Sequence, residues 1–154
     1  MKTEVKFLVD AMLKNLVSWL RILGYDTVYW RGEDEEILRI AEEEQRIILT
    51  MDRGLALAAY RRGLNVMLIT ENDVPSILAD LASRYGISLD FDPGKTRCPV
   101  CNHLLILEKQ GERSEWICPN CGKKYWQGAH WRNITKTFEK ARGKLAEKAH
   151  VKTR

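Results

Sequence analysis

Four short apolar runs, each followed by residues at helical spacing, constrain this chain more than any other feature. KFLV (6–9), TVYW (27–30), RIILT (46–50) and NVMLIT (65–70) are nearly continuous hydrophobic stretches, as expected of strands covered on both faces. After the first comes a helix from Met12 to Leu23, with Leu13, Leu16, Val17, Leu20 and Leu23 on one side. A second helix runs from Asp34 to Glu44 with Ile37, Ile40 and Ala41 inward, and a short third from Leu55 to Arg62. A fourth aligns Ile77, Leu78, Leu81 and Tyr85 and stops at Gly86, where a helix end favours glycine. Such repetition with short connections predicts an α/β fold, a parallel sheet wrapped by helices.

In a parallel sheet all strand-to-helix junctions lie on one edge, and ligands bind outside that edge. Each junction here carries an aspartate: Asp10, Asp34, Asp52 and Asp73, with Glu33, Glu35, Glu36 and Glu71 close by in sequence. Aspartate is a favoured helix cap, so capping accounts for each one taken singly. Four together are less ordinary, because Ser, Thr and Asn cap about as well and none replaces Asp. Clustered carboxylates suit a hard divalent cation such as Mg²⁺ or Mn²⁺, the ions that assist phosphodiester hydrolysis. No glycine-rich phosphate loop or dinucleotide fingerprint is present, which argues against an NTPase or a dehydrogenase. Ser18 and Cys98 have no evident base partner, which argues against a covalent nucleophile.

The repetition breaks at FDPGKTRC (91–98), where Pro93-Gly94 marks a turn or linker. Beyond it lie all four cysteines, as CPVC (98–101) and CPNC (118–121), with 16 residues between Cys101 and Cys118. That spacing predicts a closed, four-thiolate structural zinc site formed by Cys98, Cys101, Cys118 and Cys121. Charge divides at the same place. Residues 1–92 carry 11 Lys/Arg against 16 Asp/Glu, a net −5; residues 93–154 carry 14 against 5, a net +9. The basic part is either drawn to a polyanion or is a solvated tail. Trp116, Lys123, Lys124, Tyr125, Trp126, His130, Trp131 and Arg132 interleave rings with cations, as proteins that stack single-stranded nucleic acid do. A small zinc module also needs such rings for its core; that reading suits Trp116, while Trp126, His130 and Trp131 fit either role. Residues 133–150 are expected to form a basic helix, with only a thin apolar stripe of Phe138, Ala141 and Leu145.

The segments FLVDAMLKNLVSWLRILGYDT (7–27), RIILTMDRGLA (46–56), the two Cys-x-x-Cys pairs and YWQGAHW (125–131) occur in an order that carries a resemblance. Over residues 5–131 the chain resembles the RNase domain found at the C-terminus of the Mutator-seven exonucleases, a branch of the PIN-like nucleases with an appended zinc ribbon. The resemblance implies metal-dependent RNA cleavage. It gives Asp10 the role of the carboxylate after the first strand, and makes Asp34 and Asp52 similar to the helix-opening and Thr-x-Asp aspartates of PIN domains. A further glutamate common in that group has no clear counterpart here, with Glu33, Glu36 and Asp73 as alternatives. Met51 stands where an arginine is usual, which would either weaken phosphate contact or shift it to Arg53.

Taken together, the expectation is a PIN-like nuclease domain (1–92), a zinc ribbon (95–131) and a basic C-terminal extension (132–154). Asp10, Asp34 and Asp52 would bind Mg²⁺ or Mn²⁺. Arg21 and Arg53, with Lys123, Lys124, Trp126, His130, Trp131 and Arg132, would hold RNA. The alternative is a non-catalytic RNA-binding or ribosome-associated adaptor, in which the acids are caps. No apolar stretch has the length of a membrane span, and Met1-Lys2-Thr3-Glu4 is not expected to open a signal peptide, so the expected compartment is the cytoplasm.

Overall fold

A computed structural model describes residues 4–152; the outermost residues of the expected first and last segments, Met1-Lys2-Thr3 included, lie outside them. The strands are β1 (Phe7–Asp10), β2 (Thr27–Trp30), β3 (Ile47–Thr50) and β4 (Val66–Leu68). The helices are α1 (Lys14–Ile22), α2 (Asp34–Glu44), α3 (Arg53–Arg61) and α4 (Val74–Tyr85). A 3-10 turn at Ala11–Leu13 replaces the first turn of the expected helix from Met12. The sheet is parallel, in the order β2-β1-β3-β4. Chain direction across the sheet therefore reverses between β1 and β3, and an open crevice forms at such a switch point.

The two faces separate as alternating side chains require. Phe7, Val9, Ile47 and Leu49 pack with α1 and α4, through residues such as Leu16, Leu20, Leu78 and Leu81. Leu8 and Ile48 point the other way and meet Ile37, Leu38 and Ala41 of α2 and Leu55 and Ala59 of α3.

Three antiparallel strands, β5 (Ile106–Lys109), β6 (Glu115–Ile117) and β7 (Lys124–Trp126), form the second sheet, ordered β5-β6-β7. It docks on the first through specific polar contacts. Arg21 donates from its guanidinium to the carbonyls of Thr27 (3.0 and 2.9 Å) and Pro99 (2.8 Å). Asn102 accepts from the Thr27 N–H (3.0 Å) and donates to the Asp26 carboxylate (2.7 Å). Gly24, at φ +97°, lets the chain pass so close that a Cβ there would lie 2.7 Å from the Lys95 carbonyl oxygen. Asp26 and Thr27 stand at the start of β2, whose far end, Trp30, pairs with Asp10. The ribbon is thus attached at the edge of the sheet opposite Asp10, about 10 Å away along β2.

Asp26 also receives the buried Arg46, at 2.9 Å. Burial alone would raise the Asp26 carboxyl, but the hydrogen bonds from Arg46 and Asn102 outweigh it and hold the group below the usual carboxylate range. A depressed folded-state pKa gives stability that is complete above the unfolded value, about 4, and fades as pH falls through the lower folded value. Urea midpoints of the parent and Asp26→Asn are therefore expected to converge as pH drops from about 5 to about 2, and to keep a fixed gap from about 6 to 8. A gap that stays constant down to the acid end would refute this.

The C-terminal extension packs against the parallel-sheet core. Helix α5 (Trp131–Lys152) lies along α4, with Phe138 and Ala141 buried in the same core as β1 and β3. Phe138 meets Trp19 of α1 edge to face, with centroids 5.7 Å apart. Its cations meet acids on and beside α4: Lys148 with Asp80 at 2.5 Å and Lys144 with Asp73 at 3.8 Å. Part of the basic charge is therefore answered inside the molecule. Because Phe138 is fully enclosed, Phe138→Ala is expected to destabilise the whole fold by about 3–5 kcal/mol, read as a lowered urea midpoint in one cooperative transition. Loss of α5 signals alone, with the sheet unaffected, would show that the extension folds separately.

Candidate active site and cysteine centre

The β1–β3 switch point is where the sequence puts its first and third junction aspartates. Asp10 ends β1, and its Oδ1 accepts from the Ala11 N–H at 2.5 Å. Its Oδ2 accepts from the hydroxyl of the buried Thr50, at 2.7 Å. The same Thr50 oxygen accepts from the Asp52 N–H at 3.0 Å. One threonine side chain thus joins the carboxylate that closes β1 to the backbone that opens α3. Asp52 caps α3, accepting from the N–H groups of Gly54 (2.8 Å) and Leu55 (3.1 Å). Both bonds fall on Oδ1, which leaves Oδ2 available to a ligand.

Asp34 does not cap α2. The cap is Glu33, in a reciprocal box with Glu36, so Asp34 is the first helical residue, and it is exposed. Partial desolvation, and then the charges of Asp52, Asp10 and Glu35, raise its carboxyl above the ordinary value. Asp34 therefore lies within electrostatic reach of Asp10 and Asp52 across the rim. Among the described residues, however, the one group of metal-ligating side chains drawn within 4.8 Å of one another is the cysteine quartet. Asp73, at the fourth junction, caps α4 through Ser76, and Lys144 is beside it; it serves the helix pair α4/α5.

Cys98 and Cys118 are buried, with Cys101 and Cys121 nearer the surface, and none is in a disulfide. Sγ separations are 3.8 Å for Cys98–Cys121 and 3.3 Å for Cys101–Cys118. Four sulfurs at a zinc bond length of about 2.3 Å stand about 3.8 Å apart, so the quartet fits a tetrahedral ion. Each knuckle closes on a residue with positive φ, Asn102 at +73° and Gly122 at +76°. Hydrogen bonds from the Asn120 side chain and the backbone at His103 bring the Cys101 thiol down to about 6. The Lys123 N–H favours the Cys121 thiolate too, but burial and the neighbouring sulfurs prevail and push it up to about 11. Tyr125 adds an outer contact, its hydroxyl 3.1 Å from the Cys98 sulfur. Arg21 stands beside Cys101 and Cys98, where its charge balances a thiolate cluster.

The sequence matches the family model described as the Mut7-C RNAse domain over residues 5–138. The chain belongs to the Mut7-C RNAse domain family. Comparison with curated proteins and with solved structures gives no match. Family membership makes this a nuclease domain with RNA as the implied substrate, and the match extends past the ribbon into α5. Among the described residues of this Mut7-C domain, no helix is long and apolar enough to cross a membrane.

The residues expected to hold RNA separate into three groups. Arg53, Lys123, Lys124, Trp126, His130 and Arg132 are exposed. Trp131 is half-buried, 4.5 Å from the Phe91 ring. Arg21 is committed to carbonyl oxygens at the ribbon junction, so its guanidinium holds the Mut7-C domain together and is not free for a phosphate. Phe91 escaped sequence reasoning as a site-building residue and carries no local signal, whereas Tyr125 belongs to the ring-and-cation cluster and Asn102 follows a knuckle as Gly122 does.

Proposed function

We propose that this protein is a divalent-metal-dependent ribonuclease in which Asp10, Asp34 and Asp52 hold Mg²⁺ or Mn²⁺ at the β1–β3 crevice. The observation that carries this reading is the Thr50 hydroxyl between Asp10 and the start of α3, at the place where a parallel sheet binds its ligands. A hard cation there would acidify the attacking water and stabilise charge on the leaving oxygen. Asp10 is oriented by two hydrogen bonds, and Asp52 keeps one oxygen free while its other oxygen holds the helix. Asp34 is the carboxylate whose charge the others oppose, and a cation would relieve that repulsion. Arg53, exposed in the first turn of α3, is placed to meet a phosphate next to Asp52. Four thiolates make zinc the fitting ion for the ribbon, where it would hold the fold and leave no open position for chemistry.

The test is cleavage of a defined single-stranded RNA by the purified full chain, with and without added Mg²⁺ or Mn²⁺. Cleavage that requires the added ion supports the reading. RNA binding with no cleavage under either ion favours the adaptor alternative, in which the rim acids act as caps and the ribbon as the binding part.

A further inference from the structure

Between the ribbon and the start of α5 lie two cavities of about 230 Å³ each, which meet along Trp126, His130 and Trp131. Each is smaller than a site for a drug-sized ligand, about 300–1,000 Å³, and suits one flat ring system. The inner wall is fixed. Phe91 meets Trp116 and Trp131 edge to face at 5.8 and 4.5 Å, and the Trp116 indole donates to the Pro93 carbonyl at 2.8 Å. Trp126 forms the outer wall and is 63% exposed, an unusual state for the largest side chain in a module short of core.

Its ring nonetheless packs along one edge against backbone. A Cβ on Gly128 would lie 3.0 Å from Trp126 Nε1 and 3.3 Å from Cδ1, so the glycine backbone lies against the indole edge. Gly128 also donates to the Trp126 carbonyl (3.0 Å) and accepts from the Trp131 N–H (3.1 Å). An exposed ring already oriented loses little freedom when something stacks on it. Charge decides what that is. Among the described residues no carboxylate lines either cavity; Lys124 stands in one, and Arg97, whose guanidinium donates to the carbonyls of Gly24 and Asn102, in the other. Lys123 and Arg132 are exposed beside them in sequence.

We propose that this seam is a nucleobase pocket, in which one unpaired base of an RNA strand stacks on the Trp126 indole while Lys123, Lys124 and Arg132 neutralise the flanking phosphates. The inference rests on the ribonuclease reading for the identity of the polymer. It makes single-stranded RNA the form that is held, because a paired base cannot enter.

The experiment uses the full zinc-loaded chain carrying Asp10→Asn, so that RNA stays intact. Two short strands of equal length are titrated, one bearing 2-aminopurine among ordinary bases and one abasic throughout. Quenching of 2-aminopurine is expected, and Trp126→Ala should weaken the base-bearing strand about tenfold while leaving the abasic strand unchanged. Gly128→Ala, which displaces the ring without removing it, should produce a smaller loss in the same direction. Lys124→Ala should weaken both strands alike and flatten their salt dependence. Equal affinities of parent and Trp126→Ala for the base-bearing strand overturn the pocket and leave this face to a protein partner. The two readings fail separately. If the unmodified chain cleaves RNA but Trp126→Ala binds normally, only the pocket is lost; if base-dependent binding persists but nothing is cleaved, only the nuclease is lost.

Discussion

Asp52→Asn is expected to abolish metal-dependent RNA cleavage while leaving the fold intact. Asparagine caps a helix about as well as aspartate, so α3 keeps its start and its bonds from Gly54 and Leu55. What disappears is the charge that would hold a cation. Outer-shell partners of a metal site are each worth about 10–100-fold, so loss of a direct ligand should exceed about a hundredfold. Asp10→Asn should do the same. Thr50→Val should fall in the outer-shell range instead, and should also destabilise the fold by about 1–3 kcal/mol, because it strips a buried partner from both Asp10 and the Asp52 N–H. Cleavage rates and thermal midpoints measured on one set of variants decide the matter. Undiminished cleavage by both asparagine variants would leave the carboxylates as caps and end the nuclease mechanism.

Replacement of Cys118 by serine, or removal of metal by a chelator, is expected to have the largest effect on stability. Structural zinc in small modules binds with an apparent free energy of about 10–16 kcal/mol near neutral pH, and little else holds a ribbon of three short strands. The buried apolar side chains of that ribbon are few beyond Trp116 and the inner cysteines. Its loss should spread, because Arg21 bonds to the Pro99 carbonyl and Asp26 to Asn102 at the base of the parallel sheet. Equimolar zinc by elemental analysis, and a thermal midpoint that collapses on chelation together with Trp116 fluorescence, are the expected results. A chain that contains no zinc after refolding with it, and whose midpoint ignores the chelator, would remove the ion from the account.

The parallel sheet was readable because both of its faces are covered, and covered strands are apolar without interruption. Three of the four expected junction aspartates end up as expected on caps or strand ends. The second does not, since Glu33 and Glu36 complete a box one residue earlier, which needs only glutamate side chains to reach back. The role of Arg21 was not legible, because its carbonyl partner at Pro99 lies 78 residues away and any exposed arginine near the rim would have looked the same. The packing of helix α5 was not legible for a related reason. A stripe of Phe138, Ala141 and Leu145 is thin when read alone, but Ile134 extends it and α4 supplies a complementary ridge. Periodicity reports how much of a helix is apolar, and not what waits to cover it.

The placement of Phe138 and Ala141 in the first core has a consequence for synthesis. Residues 1–92 leave the ribosome holding every strand of the parallel sheet, yet α1 and α4 lack their cover until α5 follows. Contacts between Trp19 and Phe138 span most of the chain, and such distant pairings close late. A nascent chain halted within the ribbon would therefore carry an exposed apolar face on the side of α1 and α4, a surface that chaperones recognise and that promotes aggregation. Translation order makes α5 the step that completes the core around the parallel sheet.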